Sequence, residues 1–213
     1  MLTIRSRRAL AAVAAAVTLP LALTACGMDD SGDSASDTAA TADSTPSETE
    51  EKVTADGPFG PACASVPKDG AGSFDGMAKD PVATAASNNP ALSTLVTAVK
   101  KAGLVDTLNN AQNITVFAPT NDAFAKIPKA DLDKVLNDKA TLTKLLTYHV
   151  VGQKLTPQQL ESGTFETLEK STLTTSGSGE SYKVNDAANV VCGNVPTANA
   201  TVYIIDTVLM PKM

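Results

Sequence analysis

Apolar positions keep different rhythms along this chain, and each rhythm predicts a different kind of segment. From Ala9 to Leu23 they are nearly continuous, with Arg5, Arg7 and Arg8 ahead of them and Leu23, Thr24, Ala25 and Cys26 behind. A basic start, a short apolar run and a small-residue end predict an export signal rather than a membrane span. From Gly27 to Gly57 large apolar residues all but vanish. Ser, Thr, Ala, Asp and Glu fill the segment, with nine acids against one lysine. Such a segment cannot bury enough surface to offset its chain entropy, so a disordered, charge-extended tether is expected.

Pro58 to Phe74 is rich in Pro and Gly and predicts irregular structure. Helical spacing follows. Asp80 to Pro90 reads as a short helix with Asp80 as cap and Pro81 at its first position. Leu92, Leu95, Val96 and Val99 recur at helical intervals, Gly103 supplies a stop, and Leu104, Val105 and Leu108 predict a second short helix. Ile114, Val116 and Phe117 then change the period to that of a strand, cut by Pro119. Thr120 is a good N-cap, Asp122 suits the first turn of the next helix, and Phe124 and Ile127 face inward. Leu132, Val135 and Leu136 share one helical face, and Asn137 or Asp138 caps a helix carrying Leu142, Leu145 and Leu146.

After Gly152 the pattern becomes that of strands with short connections. Candidates are Thr164 to Leu168, Ser171 to Thr175, Tyr182 to Val184 and Asn189 to Cys192, with Ser176 to Ser181 as a turn. Ala200 to Pro211 is almost continuously apolar, which predicts a strand buried on both faces. Helices first and strands later predict an α+β domain. The expected organisation is a signal over residues 1–25, a tether over 26–57 and one domain over 58–213.

Charge and cysteine content narrow the function classes. The segment from Pro58 onward holds fourteen acids and thirteen lysines, a balance that argues against a nucleic-acid partner. Every arginine lies in the signal, so the mature chain lacks the guanidinium fork that phosphate sites favour. Leu23-Thr24-Ala25-Cys26 resembles a bacterial lipobox, which implies lipid on Cys26. Cys63 and Cys192 then remain, and an even pair in an exported chain reads as a disulfide. Two unpaired thiols are the alternative; a metal site is a weaker one, because the cysteines are far apart and one histidine is available to join them.

Three segments in order, Thr115 to Pro128 (TVFAPTNDAFAKIP), Leu145 to Val151 (LLTYHVV) and Ala200 to Pro211 (ATVYIIDTVLMP), resemble the hallmarks of the fasciclin domain. The resemblance covers roughly residues 74–211. It implies a β-sandwich-like wedge with several packed helices, and roles in adhesion and surface interaction. FGPAC, DPVATAASNNPALSTL and the segment around Val190, Val191 and Cys192 resemble the secreted and lipid-anchored immunogenic fasciclin proteins of mycobacteria. That group places a single disulfide where Cys63 and Cys192 fall. It also implies O-mannosylation of an acidic, threonine-rich tether, here among Thr38, Thr41, Thr45 and Thr49. The motif positions carried over are Thr115, Phe117, Ala118, Pro119, Thr120, Asp122, Phe124, Tyr148 and His149, most of them in structural roles. In animal fasciclin domains the tyrosine-histidine segment has been linked to integrin binding.

His149 is the single histidine of the chain, and a serine triad would have to run through it. No G-x-S-x-G elbow, H-E-x-x-H, Walker loop or G-x-G-x-x-G accompanies it. Leu142, Leu145, Leu146 and His149 follow one helical face, so a buried structural role is expected. Asn113-Ile114-Thr115 and Asn199-Ala200-Thr201 match the N-glycosylation pattern, a short motif that arises by chance. The expectation is a lipid-anchored, non-catalytic surface protein, exported to the outer face of the cytoplasmic membrane and monomeric. It would need no cofactor or metal, and its partner would be a protein or cell-envelope component. The alternative is an envelope protein that binds or senses a small ligand.

Overall fold

A computed structural model describes residues 57–211. The signal, the tether up to residue 56, Cys26 and the threonines Thr38, Thr41, Thr45 and Thr49 lie outside the described residues.

The strands are β1 (Ile114–Pro119), β2 (Val150–Val151), β3 (Ser162–Glu166), β4 (Thr172–Ser178), β5 (Ser181–Val184), β6 (Ala188–Pro196) and β7 (Ala200–Ile205). They form one sheet in the order β2-β1-β7-β6-β5-β4-β3, antiparallel throughout except for the parallel pair β1 and β7. The sheet curls until its two edge strands nearly meet. Val151 bridges to Thr167, and the Leu168 amide donates to the Val150 carbonyl at 2.8 Å. The sandwich-like core is therefore two halves of one curled sheet rather than two stacked sheets.

Alternation along β1 and β7 explains why both read as continuous apolar runs. Ile114, Val116 and Ala118, with Val202 and Ile204 opposite them, face a layer of helices. Phe117, Tyr203 and Ile205 point to the other side and meet Phe165, Leu173, Tyr182 and Val184 across the inside of the curl. With both faces covered, neither side of these strands needs polar residues.

The helices are α1 (Phe74–Met77), α2 (Val82–Ser87), α3 (Ser93–Ala102), α4 (Val105–Asn110), α5 (Asn121–Ala125), α6 (Lys129–Asn137), α7 (Lys139–Tyr148) and α8 (Pro157–Leu160). Gly103 ends α3 in the left-handed region, with φ 74°. Asp138 caps α7 by accepting the Ala140 amide at 2.9 Å. Thr120 caps α5 through Ala123 at 3.1 Å.

Other sequence expectations shift. Asp80 does not cap α2; it accepts from the Asn88 side chain instead, while the Val82 amide donates to Asn199, 117 residues away. The turn after β4 is shorter than expected, because Ser178 still pairs with Ser181. The last strand stops at Ile205, where Asp206 receives the Asn189 amide on its side chain and Thr207 begins an irregular segment. α8 was not expected; Gln159 accepts the Thr156 amide at 2.9 Å and closes its first turn.

Candidate functional site

The candidate residues converge on the junction between α7 and β2. Leu142, Leu145 and Leu146 fix the buried face of α7, so the helix delivers His149 inward as its last turn ends. The residue is 2% exposed. Its Nδ1 lies 2.8 Å from the Leu145 carbonyl and its Nε2 lies 2.9 Å from the Leu209 amide. A carbonyl only accepts and an amide only donates, so Nδ1 carries the proton and Nε2 is bare. Burial lowers the His149 pKa to about 4, against a smaller opposing effect of the Leu145 hydrogen bond, and the ring is neutral. The backbone of the same residue is also engaged: its carbonyl accepts the Phe117 amide at 2.9 Å and its amide donates to Leu146 at 3.2 Å.

One residue thus ties together all three hallmark segments, through Phe117, its own helix and Leu209. Tyr148 next to it turns the other way, into the curl of the sheet. Its hydroxyl donates to the Thr172 carbonyl at 3.2 Å and accepts from Asn185 at 2.8 Å. The remaining motif positions are scaffold by the same test. Thr115, fully buried, donates to Gln153 and accepts from the Leu155 amide, both at 2.8 Å. Phe117 packs on Tyr203 with ring centres 5.8 Å apart. Ala118 faces the helices, Pro119 pairs with Ile205 at the end of β1, and Phe124 fills the helix layer. Asp122 is exposed in the first turn of α5.

Between the helices and β1 and β7 lies an apolar cavity of about 50 Å³, walled by residues such as Ala85, Val99, Val116, Ala118 and Ile204, with His149 at one side. The ring offers it no hydrogen bond, since both nitrogens are engaged. Outside, an open groove of about 700 Å³ runs along α6 and α7 to Met210 and Pro211. Among the described residues no cluster of His, Cys, Asp or Glu is arranged to hold a metal ion, and no helix is long and apolar enough to cross a membrane.

Cys63 and Cys192 are bonded, with their Cα atoms 5.0 Å apart. Sequence reasoning missed the polar residues, buried Asn199 and half-buried Asn121, that act over long distances. Asn199 is 7% exposed; it accepts the Val82 amide and donates to the carbonyls of Leu108, Asn109 and Ala111. Its burial takes it out of reach as a glycosylation acceptor. Asn121 similarly receives the Thr94 amide and donates to Pro90. The one sequence signal for either is an asparagine set inside an otherwise apolar or capping motif.

The chain matches the Fasciclin domain over residues 90–211. It is 49% identical over 160 residues to the immunogenic protein MPB70 of Mycobacterium bovis, covering 71% of this chain and 81% of that protein. It is 52% identical over 147 residues to the cell surface glycolipoprotein MPB83 of the same species, covering 67% of this chain and 66% of the relative. Among solved structures, the fasciclin domain pair of the insect cell adhesion molecule fasciclin I superposes with a TM-score of 0.52 at 21% identity. That match covers 64% of this chain and 52% of the other, and it bears on the fold alone. The chain belongs to the fasciclin family.

Proposed function

We propose that this protein is a non-catalytic contact module of the bacterial surface. It is exported, held by lipid on Cys26 at the outer face of the cytoplasmic membrane, and presents one fasciclin domain on an acidic tether. Its contacts are with a protein or a cell-envelope component. The observation that carries the reading is the state of His149. The single histidine of the chain is neutral, buried and hydrogen-bonded at both ring nitrogens to backbone groups. Its one ring proton is held by the Leu145 carbonyl and its bare nitrogen by the Leu209 amide, so neither is free for a substrate. The relative that is a cell surface glycolipoprotein supports the location and the lipid, and supports sugar on Thr38, Thr41, Thr45 or Thr49.

The character of the contact follows from the exterior. Among the described residues the exposed large hydrophobics are Leu168 and Met210. Isolated residues of this kind do not make an apolar patch, so recognition rests on polar groups. The alternative, a carrier or sensor of a small ligand, needs a pocket of roughly 300–1,000 Å³. The internal cavity, at about 50 Å³, falls short of this, and the groove along α6 and α7, at about 700 Å³, has the size but lies open on the surface instead of enclosing a ligand.

Globomycin applied to expressing cells tests the anchor: a precursor accumulates if Cys26 is lipidated, and its absence refutes lipid processing. Crosslinking on intact cells then tests the contact. Wild type is expected to capture an envelope component that a released Cys26→Ala form does not. Equal capture by both forms would show that anchoring plays no part in the contact, and capture by neither would refute the contact reading.

A further inference from the structure

The N-terminal segment of the domain is fastened to β6 by several independent contacts. Phe59 and Gly193 exchange both backbone hydrogen bonds, at 3.1 and 2.7 Å. The Phe59 ring lies against Gly193, where any Cβ would collide with it. It also packs on Tyr182 and Tyr203, with ring centres 5.3 and 6.4 Å away. Gly60 follows with φ 105°, so close to β6 that a Cβ there would stand 2.6 Å from the Val191 carbonyl oxygen. The covalent contact comes next, where Cys63 is bonded to Cys192. β6 pairs with β7 from Val190 to Pro196 and with β5 at Ala188 and Asn189, and beyond these its other edge is bridged by Phe59 at Gly193.

We propose that this fastening is a load-transfer clamp. Tension arriving from the N-terminal side passes at Cys63 into Cys192, which is buried on β6 opposite Ile204 of β7. Residues 64–191 are thereby excluded from the covalent load path. The proposal rests on the reading that the chain is held from its N-terminal side, and extends it to how the domain keeps its fold while held. With the bond intact, breaking the Phe59–Gly193 pair frees only the short stretch up to Cys63. Without the bond, the pull continues into α1 and α2 and strips the helix layer from β1. The excluded loop contains Phe117, Tyr148 and His149, which meet at the junction of α7 with β1 and β2.

Single-molecule pulling on the full chain, held by handles at its two ends, tests this. The oxidised domain is expected to release only about 25 residues, six from Gly57 to Cys63 and nineteen from Cys192 to Pro211, or on the order of 90 Å. Adding a thiol reductant at constant force is then expected to release the loop spanned by the disulfide, with its separation of 129 residues. That step is about five times longer than the first. A Cys63→Ser/Cys192→Ser variant is expected to open at lower force and in full length. The proposal is overturned if the oxidised domain releases its whole length, if reductant adds no extension, or if the serine variant yields at the force that opens wild type. Should the variant fail to fold, the opening force of wild type pulled with and without prior reduction decides alone: a lower force after reduction is expected, and an equal force overturns the proposal. No membrane is involved, so a failure here leaves the anchoring reading standing. Loss of Cys26 lipidation, conversely, would remove the source of tension without altering these extensions.

Discussion

His149 accepts the backbone amide of Leu209 on Nε2 at 2.9 Å, across 60 residues of sequence. The bond joins the end of α7 to the segment that leaves β7, and the same ring donates to Leu145 from its other side. Removing the imidazole leaves a buried donor and a buried acceptor unpaired and enlarges the neighbouring cavity. His149→Ala is expected to cost roughly 3 kcal/mol or more, read as a lower denaturant midpoint. An unchanged midpoint with lost partner capture would give the residue a direct role in contact.

The same burial makes stability depend on pH. The folded-state pKa of about 4 lies below the ordinary value of 6.5. Above pH 6.5 the ring is neutral in both states and its contribution is complete. As pH falls from 6.5 towards 4, the unfolded chain takes up a proton that the folded one refuses, and stability declines by on the order of 3 kcal/mol. Chemical denaturation at pH 7 and pH 4.5 measures the decline, and His149→Leu is expected to flatten it. A wild-type curve flat over that window would contradict the burial of a neutral ring.

Asn199 is expected to matter as much as a core residue. Asn199→Asp keeps the acceptor for Val82 but presents oxygen to the carbonyls of Leu108, Asn109 and Ala111. A loss of roughly 2–4 kcal/mol is predicted for Asp or Ala, with α2 and α4 the first elements to lose hydrogen-exchange protection. Uniform loss of protection across the domain would argue against this local role.

Thr175 supplies a prediction of opposite sign. Its hydroxyl is buried on β4 without a hydrogen-bond partner. Thr175→Val preserves the shape and removes the orphan group, so the variant is expected to be more stable by about 1 kcal/mol. A destabilised variant would show that the hydroxyl holds a buried water.

Gly193 and Phe59 form a pair whose coupling is measurable. Gly193→Ala forces the Phe59 ring off β6 and is expected to destabilise the domain by roughly 1–3 kcal/mol. Phe59→Leu also destabilises, and in the double variant the smaller side chain relieves the clash, so the two losses are less than additive. Strict additivity would mean that the ring and Gly193 do not constrain each other.

What the sequence revealed and what it hid follow from the range of the interactions involved. The helix over Leu92 to Val99, its stop at Gly103 and the cap at Thr120 depend on groups a few residues apart, and their spacing shows in the chain. The inward face through Leu142, Leu145, Leu146 and His149 is likewise a local period. Asp80 misled because a capping residue is judged by its neighbours, whereas the Val82 amide is satisfied by Asn199 from the far end of the domain. The extent of β4 and the end of β7 were hidden for the same reason, since pairing partners set strand ends. His149 could be placed on a buried face from sequence, but not its two backbone partners, one of which lies 60 residues away.

The most direct test of the central claim, that the family's hallmark histidine is a neutral internal tie rather than a reactive group, is the ¹⁵N NMR spectrum of the His149 side chain between pH 7 and pH 4.5. The account predicts a single tautomer protonated on Nδ1, a bare Nε2 receiving the Leu209 amide, and no titration near pH 6.5. A ring that titrates near 6.5, or that exchanges between tautomers, would contradict it.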